Sequence, residues 1–255
     1  MKTRIISGVI GFSLLLLIVI LGGKILNIAI LAISLIAIHE FHKAIRNIEN
    51  INPVRSLNYI FTVGLFLTNY SEKISVDFII FIYIVSLLVS SVFSKKHTLK
   101  DTAMSLLGGL YIPFFFYHMY LLNDSIYIWI VFLSAFATDT FAYFSGMFFG
   151  KHKLYPSVSP KKTIEGSVGG IIGCVITITL FSLYFKLDNI FGLVILSIVL
   201  SVMSQIGDLT ASKIKRTAEI KDYGDLMPGH GGILDRFDSI LFTTPIVYYY
   251  ITYMI

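Results

Sequence analysis

The 255 residues are 56% hydrophobic and carry a net charge of +5, with a mean hydropathy of +0.81. Soluble domains hold about 45–50% apolar residues, so the composition excludes an ordinary soluble domain and points to an all-α polytopic integral membrane protein. In such a chain excess Lys and Arg serve topology first, which argues against a nucleic-acid partner. The single cysteine, Cys174, excludes an internal disulfide and a Cys-based zinc cluster. Lying in an apolar run, it reads as a small buried hydrophobe.

Apolar runs fall at about 5–23, 25–45, 57–70, 76–93, 102–122, 126–149, 166–186, 189–211 and 236–254, giving about nine transmembrane helices. The first follows Lys2 and Arg4, is longer than a signal-peptide core and precedes no small-residue cleavage site, so it is expected to be a retained helix. The third is shorter than the ~20 residues of a straight crossing, which leaves eight or nine spans. Loop charge favours nine. With a cytoplasmic N-terminus and an outside C-terminus, all but Lys24, Lys73 and Lys186 of the 20 Lys and Arg lie inside. The chain therefore divides into 1–130, N-terminal helices of unassigned role, and 131–255, a catalytic membrane region with cytoplasmic loops at 150–165 and 212–235.

Within the apolar runs, His39, Glu40 and His42 offer no third metal partner and read as residues of the cytoplasmic interface. His118 reads as a packing residue, and Tyr248, Tyr249, Tyr250 and Tyr253 as an aromatic belt at the outer face. Asp139, in Ala137-Thr138-Asp139-Thr140-Phe141, is an intramembrane acid, for which function outweighs a helix contact with Thr or Tyr hydroxyls. The following loop, Ser159-Pro160-Lys161-Lys162-Thr163-Ile164-Glu165-Gly166, is either a topology signal or an anion cradle at a helix start.

Asp208 stands near the end of the eighth run, with Ser212 and Lys215 at i+4 and i+7 on the same face if the helix continues. Such a carboxylate is costly unless paired or metal-bound. The polar stretch Ser212 to Asp238 follows. Its His230-Gly231-Gly232 forms a tight turn before Asp235 and Asp238, which are one helical turn apart and read singly either as caps or as ligands. Asp208 and Asp235, on adjacent antiparallel helices, are candidates to share a Mg²⁺ ion, which takes oxygen ligands and commonly binds substrate phosphates. Lys215, Arg216, Lys221 and Arg236 would offset phosphate charge.

These residues resemble the phosphatidate cytidylyltransferase, or CDP-diacylglycerol synthase, family. The resemblance rests on Ser212, Ile214, Lys215-Arg216, Lys221-Asp222, Gly224, Met227-Pro228, His230-Gly231-Gly232-Ile233 and Asp235-Arg236-Phe237-Asp238. Met227 is the one departure, standing where Leu, Ile or Phe is usual. Residues 139–143 and 159–166 also resemble family motifs, so the likeness spans roughly 135–240. Residues 1–130 match only as hydrophobic helices.

The resemblance implies a homodimeric enzyme of the bacterial cytoplasmic membrane, with its site facing the cytoplasm, that converts CTP and phosphatidic acid to CDP-diacylglycerol and pyrophosphate. It implies Mg²⁺ held by Asp208 and Asp235, with a K⁺ ion also associated with the site. The residues expected to act in catalysis are Lys215, Arg216, Lys221, Asp222, His230, Arg236 and Asp238. Those expected to bind substrate are Asp139, Ser159, Lys161, Lys162, Thr163, Glu165 and Ser212. Two alternatives stand beside this reading: a CTP-dependent polyprenol or lipid kinase, and a transporter using Asp139 and a helix broken at Gly169, Gly170 and Gly173.

Overall fold

A computed structural model describes residues 2–71, 73–226, 229 and 231–255, with side chains from Ser7 onward. Of the described residues 76% are helical, so the all-α expectation holds. In order the helices are α1 (Lys2–Leu21), α2 (Gly23–Ile45), α3 (Arg55–Leu67), α4 (Val76–Phe93), α5 (Leu99–Tyr111), α6 (Pro113–Leu121), α7 (Ile128–Phe149), α8 (Ile164–Tyr184), α9 (Ile190–Thr217) and α10 (Leu234–Met254). Between α7 and α8 lies a hairpin of β1 (Lys153–Tyr155) and β2 (Ser159–Thr163), antiparallel, with an irregularity in its register. Among the described residues six segments are long and apolar enough to cross a membrane: α2, α4, Leu99–Leu121, α7, α8 and α9. The chain is an integral membrane protein.

Local chemistry explains the boundaries. The apolar run at 102–122 is two helices because Pro113 has no N–H to continue α5 and instead occupies the first position of α6. A Thr98–Asp101 capping box opens α5. The short third run becomes α3, 13 residues long and about 20 Å by helical rise, below the ~30 Å apolar thickness of a bilayer. The eighth run continues past its apolar stretch: α9 has 28 residues, roughly 42 Å. It ends in a Schellman turn in which the Ile220 N–H reaches the Lys215 carbonyl, with Glu219 at φ 55°.

The chain forms two compact units, Met1–Asn123 with Ile214–Arg236, and Asp124–Lys213 with Phe237–Ile255. In the first, polar groups link helices across an apolar interior. Asn58 on α3 donates to His42 Nε2 on α2 at 2.9 Å and to the Ser105 carbonyl on α5 at 3.1 Å. Its amide oxygen accepts from Tyr83 on α4 at 2.9 Å, and the Tyr83 ring stacks on Phe61 at 4.0 Å. Such interhelical hydrogen bonds join helices where lipid removes any hydrophobic difference.

In the second unit α7 and α8 pack along small residues. A Cβ on Gly166 would meet the Ala142 carbonyl at 2.8 Å, and one on Gly170 the Thr138 carbonyl at 3.0 Å. These glycines let two backbones approach closely. Helix α8 runs unbroken through Gly169, Gly170 and Gly173. The broken helix that the transporter alternative drew on is therefore absent there, because glycines in an apolar setting keep the helical hydrogen bonds and serve packing. Thr138 donates to Ser201 at 2.9 Å, tying α7 to α9.

Candidate active site

The site residues fall into two clusters, one in each unit. In the second unit, the hairpin and residues of α7, α8 and α9 line an open cavity of about 330 Å³, with Asp139, Tyr143, Lys161, Lys162, Thr163 and Gln205 in its lining. Asp139, read from the sequence as an intramembrane acid, is not enclosed by protein. It is exposed and faces this cavity. Lys161 is exposed, whereas Lys162 forms an ion pair with Asp208, the two side chains 26% and 29% exposed.

Ser212 donates to Asp208 at 3.4 Å, as its i+4 spacing on a continuing α9 predicts. Thr163 is the N-cap of α8, accepting the Gly166 N–H at 3.1 Å, because the first amides of a helix lack internal partners. Glu165 accepts the backbone N–H groups of Lys151 at 3.0 Å and His152 at 3.2 Å, and pairs with His152 Nδ1 at 2.6 Å. It thereby fastens the residues just before the hairpin to the start of α8. Ser159 lies half-buried at the start of β2, opposite Tyr155. Asp238 accepts the N–H of Ser239 at 2.8 Å near the start of α10.

The first unit holds the other cluster. The Asp235 side chain is 2% exposed and carries three donors. Lys215 Nζ lies 2.6 Å from Oδ1, while the N–H groups of Tyr223 and Gly232 reach Oδ2 at 2.7 and 3.0 Å. Lys215 also lies 5.4 Å from the centre of the Tyr223 ring, a cation–π contact. Gly231 has φ +83°, a conformation open to glycine at little cost. A Cβ there would also meet Asp235 Oδ2 at 2.8 Å. Arg216, Lys221, Asp222 and Arg236 are exposed around this cluster. His230, Met227 and Pro228 lie outside the described residues.

Two residues of these clusters went unassigned by sequence reasoning. Gln205 lines the cavity and donates to the Ser167 carbonyl at 3.3 Å. Glu40, read from sequence as an interface residue, is 6% exposed. It accepts the N–H of Ile233 at 3.0 Å and of Leu234 at 2.9 Å. The available signal was an acid inside a hydrophobic run, the same criterion that selected Asp139.

Both expected metal carboxylates carry a lysine ammonium: Lys162 on Asp208 and Lys215 on Asp235. A cation already stands at each oxygen pair, so each carboxylate, taken by itself, suits a positively charged partner. Asp208 is the more accessible, with one ion pair and one long hydroxyl contact; Asp235 has to exchange its lysine to bind an ion. Among the described residues no group of three or more His, Cys, Asp or Glu comes together, so much of any Mg²⁺ shell falls to water and substrate oxygens, as is usual for that ion.

A model of the cytidylyltransferase family matches residues 2–254. A phosphatidate cytidylyltransferase of Staphylococcus haemolyticus is 36% identical over 261 residues, covering 97% of each chain. Proteins of the same name from Staphylococcus aureus and Staphylococcus epidermidis are 35% and 33% identical, again with 97% of each chain covered.

Proposed function

The chain belongs to the cytidylyltransferase family, and we propose that it transfers the cytidylyl group of CTP to phosphatidic acid, giving CDP-diacylglycerol and pyrophosphate. The observation that carries this reading is a likeness to phosphatidate cytidylyltransferases extending over 97% of the chain. The cavity beside Asp139 supports it chemically. Lys161 and Lys162 supply cationic contacts for phosphate, and Ala142, Tyr143 and Met147 supply apolar wall, a combination suited to a lipid phosphate.

In the proposed reaction a phosphate oxygen of phosphatidate attacks the α-phosphorus of CTP. A new P–O bond forms in line with the breaking bond to the bridging α–β oxygen, and pyrophosphate departs with that electron pair. The attacking oxygen is already anionic, so no strong base is needed. Catalysis rests on positioning and on offsetting charge. Lys161 and Lys162 are assigned to the lipid phosphate, and Lys215, Arg216 and Arg236 to the phosphates of CTP, with Lys221, Asp222, His230 and Asp238 in the same polar stretch. Ser212 orients Asp208.

Mg²⁺ is proposed at Asp208 and Asp235, where it would neutralise charge on the nucleotide phosphates. The K⁺ implied by the resemblance is assigned no ligands. Nine spans, an N-terminus and reaction site at the cytoplasmic face of the bacterial inner membrane, and a homodimer complete the proposal. Single cysteines placed in the loops of a Cys174→Ala background, probed from each side of the membrane, test the topology. Light scattering of the detergent-solubilised protein tests the dimer.

The decisive assay is pyrophosphate release by purified protein with CTP, phosphatidate and Mg²⁺, each omitted in turn. Release that requires all three, with a CDP-lipid product, is expected. Release of CDP with a phosphorylated lipid would mean a kinase, and no release from folded protein would overturn enzymatic transfer to this substrate.

A further inference from the structure

Helix α10 begins without an N-cap of its own. Ile233 precedes it, and the amides at the start of a helix have no acceptor within the helix, so those of Ile233 and Leu234 need one from elsewhere. Glu40, nearly two hundred residues earlier on α2, supplies both carboxylate oxygens, one to each N–H at 3.0 and 2.9 Å. A carboxylate at that position also offsets the positive end of the helix. Two glycines make room for it. A Cβ on Gly224 would approach Glu40 Oε1 at 2.6 Å, and one on Gly232 would collide with the same carboxylate. Neither glycine has a positive φ, so it is space for Glu40, not backbone conformation, that excludes a side chain at Gly224.

The next residue after these two amides is Asp235, which in turn holds Lys215, Tyr223 and Gly232. Two buried acids thus grip successive amides of one turn: Asp235 takes that of Gly232, and Glu40 those of Ile233 and Leu234. We propose that Glu40 is a positioning residue for the transfer reaction: a carboxylate from the N-terminal helices that fixes the first turn of α10, and with it Asp235 and Lys215. The proposal rests on the cytidylyltransferase reading for its kinetic consequence, and on geometry alone for its structural one. It gives α2 a part in the site although the motif residues picked out from the sequence all lie after residue 130.

The test compares wild type, Glu40→Gln, Glu40→Ala, Gly224→Ala and the double variant Glu40→Ala/Gly224→Ala. The proteins are purified in detergent and assayed well below their measured melting temperatures, so that only folded protein is counted. Glu40→Gln keeps one acceptor and is expected to lower kcat about tenfold; Glu40→Ala keeps none and is expected to lower it about a hundredfold, with the KM for phosphatidate within about twofold. Gly224→Ala alone is expected to impair turnover, but to add no further loss once Glu40 is Ala, because the side chain it collides with is gone. Hydrogen exchange is the second readout: Glu40→Ala should speed exchange at Ile233 and Leu234.

Unchanged kcat per folded protein in Glu40→Ala, or a Gly224→Ala loss that simply adds, overturns the proposal. If wild type releases no pyrophosphate, the transfer reading fails, and unchanged exchange at the two amides then overturns the clamp independently.

Discussion

Asp208 and Asp235 are both acids paired with a lysine, but their surroundings differ. Asp208 sits on a continuous helix with 29% of its side chain exposed, one ion pair and a long contact from Ser212. Asp235 is 2% exposed and holds Lys215 together with two backbone amides from the polar stretch between α9 and α10. The first can change partners at little structural cost, since ion pairs near water contribute about 0–1 kcal/mol. The second organises its segment, since removing one member of a buried, hydrogen-bonded pair costs about 3–5 kcal/mol. The two acids therefore differ in kind: one stands where a change of partner is cheap, and the other holds its own segment together.

That contrast is open to direct challenge. The largest effect is expected from Asp235→Ala, with turnover lost by a factor of about a thousand or more and the melting temperature lowered by several degrees. Asp235→Asn is expected to abolish turnover as well while leaving folded, inserted protein, with a smaller loss of stability. Restoring that stability, but not activity, with Lys215→Met would separate the two roles of the acid. Asp208→Asn is expected to reduce kcat by at least a hundredfold with the melting temperature nearly unchanged; a large thermal shift would erase the distinction between the two acids.

A smaller effect is expected from Lys162→Met. It removes a cation from the cavity wall and is predicted to raise the KM for phosphatidate about tenfold, with stability changed by less than about 1 kcal/mol. The smallest change concerns the hairpin junction. Thr163→Ala removes the N-cap of α8 and should cost about 1 kcal/mol, read as a small drop in melting temperature, with Thr163→Ser recovering most of it.

The helical class and the positions of most helices were legible in the chain, because a continuous apolar run in a membrane leaves the backbone few alternatives to a helix. The extension of α9 through Ser212 and Lys215 was legible too, from the spacing of its polar face. Other features were not. The break at Ile112–Pro113 was hidden within an apolar stretch that hydropathy reads as one span, although Pro113 was its signal. The β-hairpin was hidden because a short run of Ser, Pro and Lys carries no alternating pattern. The hold of Glu165 on the amides of Lys151 and His152 was hidden too, since nothing in the spacing singles out those partners. Glu40 read as a residue of the cytoplasmic interface because its partners are nearly two hundred residues away.

The sequence by itself determined that the protein is helical and membrane-embedded, and which polar residues stand out against the apolar background. Both follow from local physics: hydropathy, helical periodicity and the cost of charge in lipid. Only the tertiary structure decided which lysine meets which acid, that Gly224 and Gly232 leave room for a carboxylate from α2, and that α10 receives its cap from a distant helix. Those outcomes depend on where helices far apart in the chain come to rest, and hydrogen-bond partners at such separations leave no periodic trace in the sequence.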